Sequence, residues 1–444
     1  MHREKIVKMK TKLLVVLLFA AAVLSAKDNI LLVNYGPEQS IREGDDDFRQ
    51  IIFLRVAETF TDSLYVRIFD ADCGGDIDLG FSTWNTQMRY TLYGGTGAYS
   101  APSLKNAKPT DADMTAGRVL TTATLGENKE LNNSWYNFAH VARNDGEKIG
   151  EYYYFKLVVQ GLSGNDANAF DVRLSPSATM NLENDALHMF SFSPTLRLRK
   201  DEKVANITFS VPEKAKSITI NNFDLAGAMV QLITAFRSNL PVLSSGQGEW
   251  AKSVLPLEEL ETGRPCAIAM GQGGESPNDV SLYITDDQDR VLPIDLPVYL
   301  IKLNRRPVIQ KSLIALSDCQ SIVFDAKASA DQDGDVLDFY WDFGDGSTAT
   351  GSRVVHRYAE QKTYNALVIV TDNSGEVGNS SFERFKVKVN QPPIAQAGKD
   401  VVTAPNKMVP FDGKSSSDQD GRLTSFTWDF GDGKTASGAQ TGHS

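Results

Sequence analysis

Cysteine and histidine are scarce in this chain of 444 residues, with three of the first and five of the second. Cys73, Cys266 and Cys319 are far apart and odd in number, which excludes the disulfide framework of a small secreted scaffold. They read as buried thiols, with a single disulfide as the alternative. Apart from the one in the leader described below, the histidines are His140, His188, His356 and His443, and none stands in HExxH spacing. The chain also lacks a GxSxG nucleophile elbow, a Walker phosphate loop and a CxxC pair. Gly271-Gln272-Gly273-Gly274 is glycine-rich, but no Gly-Lys-Ser or Gly-Lys-Thr follows it, so it reads as a loop between strands. Glu258, Glu259 and Glu261 are close in sequence, yet glycoside hydrolysis needs carboxylates paired across space, and spacing alone does not nominate these. The sequence therefore offers no catalytic residue and no organic cofactor site.

Positive charge is also in deficit. The formal net charge is −11, and it becomes −15 once Met1–Ala26 is set aside. That balance argues against nucleic acid or an anionic membrane surface as a partner and suits a surface that collects cations. Long apolar runs are absent after Leu13–Leu24, so no transmembrane segment is expected in the residues given. That run of twelve follows Arg3, Lys5, Lys8, Lys10 and Lys12 and precedes the small residues of Leu24-Ser25-Ala26. Residues 1–26 thus read as a secretory signal peptide, with Met9 as an alternative start. No cysteine near the cleavage point marks a lipoprotein anchor. The expected location is extracellular, cell-surface or periplasmic.

What the chain does have is an internal repeat. WDFGDG occurs at Trp341–Gly346 and again at Trp428–Gly433, each ten residues after an Asp in SADQDG or SSDQDG, at a constant offset of 87 residues. In the first copy Leu337, Phe339, Trp341 and Phe343 alternate with Asp338, Tyr340 and Asp342, the period-2 pattern of a half-buried strand. Gly-Asp-Gly after it and DQDG before it are turn signals. Tyr364–Thr371 and Phe385–Val389 read as further strands. For Trp341 and Phe343 a core role is set against an aromatic sugar platform, and their shared apolar face favours the core.

These residues resemble the PKD (polycystic kidney disease) domain family. A complete copy spans 307–390, with WDFGDG, His356-Arg357-Tyr358, Thr363-Tyr364 and Thr371-Asp372-Asn373-Ser374-Gly375, and a partial copy spans 392–444. The resemblance implies immunoglobulin-like sandwiches used outside the cell. The second copy stops about where the first has Val355–Tyr358, so it is expected to be truncated and the chain to be a fragment of a longer protein. The joins Asn304-Arg305-Arg306-Pro307 and Asn390-Gln391-Pro392-Pro393 match at an offset of 86, one short of the offset inside the motif. Their prolines stiffen modules strung end to end.

Residues 27–304 resemble no family named here. They divide into 27–194 and 195–304, each read as a β-sandwich from short apolar runs separated by Gly, Asn and Asp clusters. Leu225–Ala235 is left open between a short helix and a bent strand. A glycine-containing loop with Asn-Asp before a strand, at Gly164–Asp166 and Gly274–Asp279, suggests two related modules. The expected fold class is all-β, a tandem of β-sandwich modules.

Acidic loops carry the chemistry. Asp70, Asp72, Asp76 and Asp78 follow the strand Leu64–Phe69, and Gly74 and Gly75 let the backbone fold the carboxylates toward one point. Calcium wants six to eight oxygens, and such a loop would supply much of that shell, with Asp45, Asp46 and Asp47 as further donors. The alternative is an Asp-rich turn between strands. Asp331 and Asp333, repeated as Asp418 and Asp420, offer the same two readings, with turn formation preferred and calcium left open by the resemblance. Asp286, Asp287 and Asp289 read as a hairpin turn.

Two functions from different classes follow. The first is a secreted or cell-surface, non-catalytic protein binding an extracellular glycan or protein, with PKD-like modules as spacers. The second is the ancillary N-terminal portion of a secreted hydrolase or protease whose catalytic domain lies beyond residue 444.

Overall fold

The computed structural model describes residues 29–39, 48–81, 83–199, 201, 203–272, 278–318 and 320–444. The expected signal peptide, Asp45–Asp47 and Cys319 lie outside the described residues. The chain is all-β, and among the described residues four short helical segments interrupt its strands.

Residues 29–301 form two sheets packed face to face over one continuous core. Among the described residues they hold nine and twelve strands. The core draws Leu32, Ile68, Phe170 and Ile220 from the first sheet and Ile52, Leu92, Leu157 and Ile268 from the second, each less than a twentieth exposed. Neither sheet breaks at residue 194. In the first, Thr195–Leu198 pairs with Leu31–Tyr35 on one side and with Asn278–Asp286 on the other. In the second, Leu187–Ser191 lies between Arg49–Ala57 and Ile294–Leu296.

The strand order is symmetric about that seam. On one side the first sheet runs Leu31–Tyr35, Ala167–Ser175, Leu64–Phe69, Trp135–Val141; on the other it runs Thr195–Leu198, Asn278–Asp286, Ser217–Phe223, Trp250–Pro256. The second sheet repeats the relation, Leu187–Ser191, Arg49–Ala57, Tyr152–Ser163, Gln87–Gly94, Arg118–Leu125 matching Ile294–Leu296, Val204–Ser210, Pro265–Gly271, Met229–Ile233, Leu240–Pro241. Two halves of one topology are thus fused edge to edge, which hides an edge strand of each half. Leu225–Ala235, left open above, contains the strand Met229–Ile233.

Arg49–Ala57 shows why Ile51–Leu54 within it is an unbroken apolar run. Ile52, Leu54 and Val56 face the main core, while Ile51 and Phe53 are covered on the other face by Leu104, Met114 and Phe192. In the second half the equivalent outer face, with Val204, Ala267 and Ala269, is covered by Val377 of the next module.

That module has sheets of three and four strands around Phe324, Trp341, Phe343 and Tyr358. Trp341 is fully buried and donates its indole N–H to the Gly351 carbonyl at 2.9 Å. Gly344 has φ +78°, and a Cβ there would collide with the Asn365 carbonyl, so the motif requires glycine. The last module pairs Val409–Asp412 with Gln440–His443 and Thr427–Asp429 with Thr435–Ser437. His443 stacks on Phe430 at 4.2 Å and meets Asp432 at 3.0 Å, as His356 stacks on Phe343 at 4.1 Å and meets Asp345 at 2.7 Å.

Candidate functional site

The acidic loop begins where Leu64–Phe69 leaves its sheet. Asp70 sits in the left-handed region at φ +52°, and its Oδ1 accepts the backbone N–H of Asn133. The second half has the same turn: Asp224, at φ +57°, accepts the N–H of Gly248 at 2.9 Å. Phe69 packs on Trp135 there as Phe223 packs on Trp250, with centroids 5.4 and 5.3 Å apart. Asp70 is therefore first a turn former, for which Asp is suited because its short carboxylate caps the backbone and tolerates positive φ.

Asp72 and Asp78 have no such counterpart. Asp78 stands in the gap that the departing strand leaves beside Ala167–Ser175. Its two oxygens accept N–H bonds from Ala169 and Gly74, both 2.7 Å, and Leu79 then returns to bridge Ala167. The loop is held from the second half as well. Arg197, buried in a pair with Asp279 at 2.7 Å, donates to the Ile77 carbonyl at 2.6 Å. Burial pushes the Asp78 carboxyl up to about 8 and the Asp70 carboxyl up to about 6, against an ordinary 3.8. Asp70 Oδ2 is buried without a hydrogen-bond partner among the described residues. Cys73, also fully buried, has its thiol pushed up by burial and by the charges of Asp78, Asp166 and Asp72. It is an inert thiol, as is buried Cys266.

Asp72 faces the loop 126–134. One of its oxygens accepts the Asn128 N–H at 2.8 Å, and burial, with the nearby Glu127 charge, raises its pKa. The Asn132 amide head lies 3.2 and 3.0 Å from the two Asp72 oxygens and 3.0 Å from the Gly74 carbonyl oxygen. With its nitrogen toward them, the amide donates to all three.

The four expected carboxylates are thus not brought to one point. Asp76 is exposed, while Asp70, Asp72 and Asp78 are buried and each is engaged with a different backbone segment. Among the described residues no group of three or more His, Cys, Asp or Glu side chains is placed to hold a metal ion. Spacing reveals how many carboxylates a loop carries but not which amides they will cap. Asn132 was missed because it lies in a different loop, sixty residues on from Asp72.

The DQDG aspartates form turns and also hold the joins. Asp331 Oδ1 accepts the Asp333 N–H at 2.7 Å, and Asp418 Oδ1 that of Asp420 at 3.1 Å. Asp333 then accepts the N–H of linker residue Arg305 at 2.8 Å, and Asp420 that of Gln391 at 3.2 Å. Asp286 caps its hairpin, accepting the Gln288 and Arg290 N–H groups.

A family model described as the PKD domain matches residues 304–387 and 390–444. The C-terminal modules are PKD domains. Collagenase ColA of Clostridium perfringens is 31% identical over 93 residues, 21% of this chain and 8% of that protein. Pre-pro-metalloprotease PrtV of Vibrio cholerae is 25% identical over 180 residues, 35% of this chain and 19% of that protein. This chain therefore spans less than a fifth of the length of these relatives. Among solved structures, the PKD1 domain of Vibrio anguillarum Epp is similar at 24% identity and that of V. cholerae PrtV at 28%. Each covers 20% of this chain and all of its own, with a TM-score of 0.18. No helix among the described residues is long and apolar enough to cross a membrane.

Proposed function

We propose that this chain is the ligand-binding part of an exported, multimodular protein that engages an extracellular protein polymer, with the fused sandwich as the binding body and the PKD domains as spacers of set geometry. The observation that carries this reading is the way the modules are joined. The first PKD domain packs Phe382 and Val377 against Phe236 and Ile233 of the sandwich, and an Asp of DQDG holds the linker backbone at both joins. Chains that merely tether do not need such docking; chains that present a surface at a defined distance do. The leader and the negative charge fit export, and the matches to a collagenase and a metalloprotease favour a protein over a glycan as the ligand. Co-sedimentation of the 27–444 chain with insoluble collagen, and in parallel with insoluble polysaccharide, tests this. Retention on collagen is expected, and recovery in both supernatants would sink the reading.

Calcium belongs to the same proposal. Both Asp72 oxygens, the turned Asn132 amide oxygen, the Gly74 carbonyl and the neighbouring Glu127 carboxylate would hold it, and water would complete the shell. Its role would be to tie the loop 70–79 to the loop 126–134.

The second reading is that these residues are the ancillary part of a secreted protease, favoured by the same two relatives. Gelatin zymography of the protein secreted by its natural host separates the two. A clearing band that runs with this chain selects the protease.

A further inference from the structure

We propose that the cleft between the outer face of the twelve-stranded sheet and the segment 95–117 is a recognition site for the carboxylate end of a peptide with an apolar last residue. This rests on the protein-binding reading above and names a site for it. The cleft has a volume of about 220 Å³, and its floor is Ile51, Phe53, Leu104, Met114 and Phe192, all buried against one another. Such a floor takes an aliphatic or aromatic side chain, and the volume suits one residue rather than a folded partner.

The wall carries two basic side chains, Arg49 and Lys108, and one Arg49 donor has no acceptor among the described residues. Arg49 pairs through Nη1 with exposed Asp111, but its Nε is buried with no hydrogen-bond partner among the described residues. A buried guanidinium donor without an acceptor carries a desolvation penalty that an incoming anionic oxygen would remove. An apolar floor beside basic side chains selects a ligand whose carboxylate is attached directly to an apolar body. A polypeptide C-terminus has that form, and proteolysis generates such ends.

The cleft is built, since its far wall is anchored on both sides. Glu147, less than a tenth exposed, accepts the N–H groups of Gly97, Tyr99 and Ser100 at 3.1, 2.6 and 2.9 Å. Fully buried Lys156 donates to the carbonyls of Asp113 and Ala116 at 2.7 and 2.9 Å, capping the helical turn that supplies Met114. The equivalent outer face of the second half is covered by the first PKD domain instead.

Isothermal titration of the whole exported chain with N-acetyl-leucine and N-acetyl-phenylalanine, against their amides, tests the assignment. The acids should bind at least about tenfold more tightly than the amides. Met114→Trp, which fills the cleft, should abolish binding of the acids while leaving the melting temperature within a few degrees. Arg49→Gln should reduce the acids to the level of the amides. Equal binding of acid and amide, unchanged binding by the Met114→Trp protein, or no heat from the folded wild type at 20 mM ligand (roughly the weak limit of a useful site) would each overturn it. Retention on collagen reports on the whole chain, so loss of this site with retention kept leaves the broader reading standing.

Discussion

Phe236 of the fused sandwich and Phe382 of the first PKD domain meet edge to face, 5.3 Å between centroids and 85° between planes. Around them Gly378 lies against Ile233, Asn206 donates to Glu376 at 3.3 Å, and half-buried Arg306 donates to the Thr234 carbonyl at 3.4 Å. The contact converts a linker that ends in Pro307 into a fixed join, because the domains bury apolar surface against each other as well as being covalently connected.

Phe382→Ala should therefore loosen the join without unfolding either partner. The aromatic pair contributes about 0.5–1.5 kcal/mol beyond its buried area. Small-angle scattering should show a broader distribution of interdomain distances, and hydrogen exchange should rise in Met229–Ile233 and Ser380–Lys388. An unchanged scattering profile would show that the linker alone sets the geometry.

The two WDFGDG copies should respond differently to one substitution. Trp341 is fully enclosed, and Trp341→Ala should cost its domain about 3–5 kcal/mol. Trp428 keeps the indole bond, to the Gly438 carbonyl at 2.9 Å, but is only half-buried, and among the described residues no strand covers it as Thr363–Asp372 covers Trp341. Trp428→Ala should cost clearly less. Denaturant titrations of the two variants compare them directly.

Arg197 ties the second half of the sandwich to the acidic loop of the first. Replacing it with Met leaves Asp279 buried with, among the described residues, only the Tyr35 hydroxyl, 2.7 Å away, of its present side-chain partners, and frees the Ile77 carbonyl. Loss of about 3–5 kcal/mol is expected, the range for breaking a buried pair from one side. Arg197→Met with Asp279→Leu should recover part of it, since removing both charges removes the unpaired one. A double variant as unstable as the single one would place the defect in the Ile77 contact instead.

Much of the fold is legible in the sequence, but its long-range pairing is not. Alternation at Leu337–Phe343 gives the strand Leu337–Asp342, and the run Leu64–Phe69 is a strand with those limits. The seam at 194 and 195 is different. Periodicity marks where a strand lies, while the pairing of Thr195–Leu198 with Leu31–Tyr35 joins segments some 160 residues apart and leaves no local trace. The duplication has little sequence signal because what is kept is backbone geometry: Asn133 at φ +53° stands where the other half has Gly248 at φ +66°. For the acidic loop, residue type and number were readable, and the direction of each carboxylate was not.

The pH dependence of the loop follows from its buried carboxyls and gives the sharpest test of calcium. Asp70 and Asp78 have folded values near 6 and 8, raised by burial above the ordinary 3.8, so the folded state holds their protons more tightly than the unfolded chain. Their contribution to stability is fully present below about pH 3.8 and is lost as pH rises through 6 and then 8. The melting temperature of the sandwich without calcium should thus fall between pH 5 and pH 8. Asp78→Asn, neutral throughout and still able to accept one of the two N–H bonds, should flatten the upper part of that fall. Calcium reverses the balance, since a cation beside Asp72 favours ionised neighbours and binds only the folded loop. Added calcium should raise the melting temperature more at pH 8 than at pH 5, and Asp72→Asn or Asn132→Leu should remove the increment. A calcium shift that survives both substitutions would move the ion elsewhere in the chain, and no shift in the wild type at millimolar calcium would leave Asn132 as the hydrogen-bond donor that holds the two loops together.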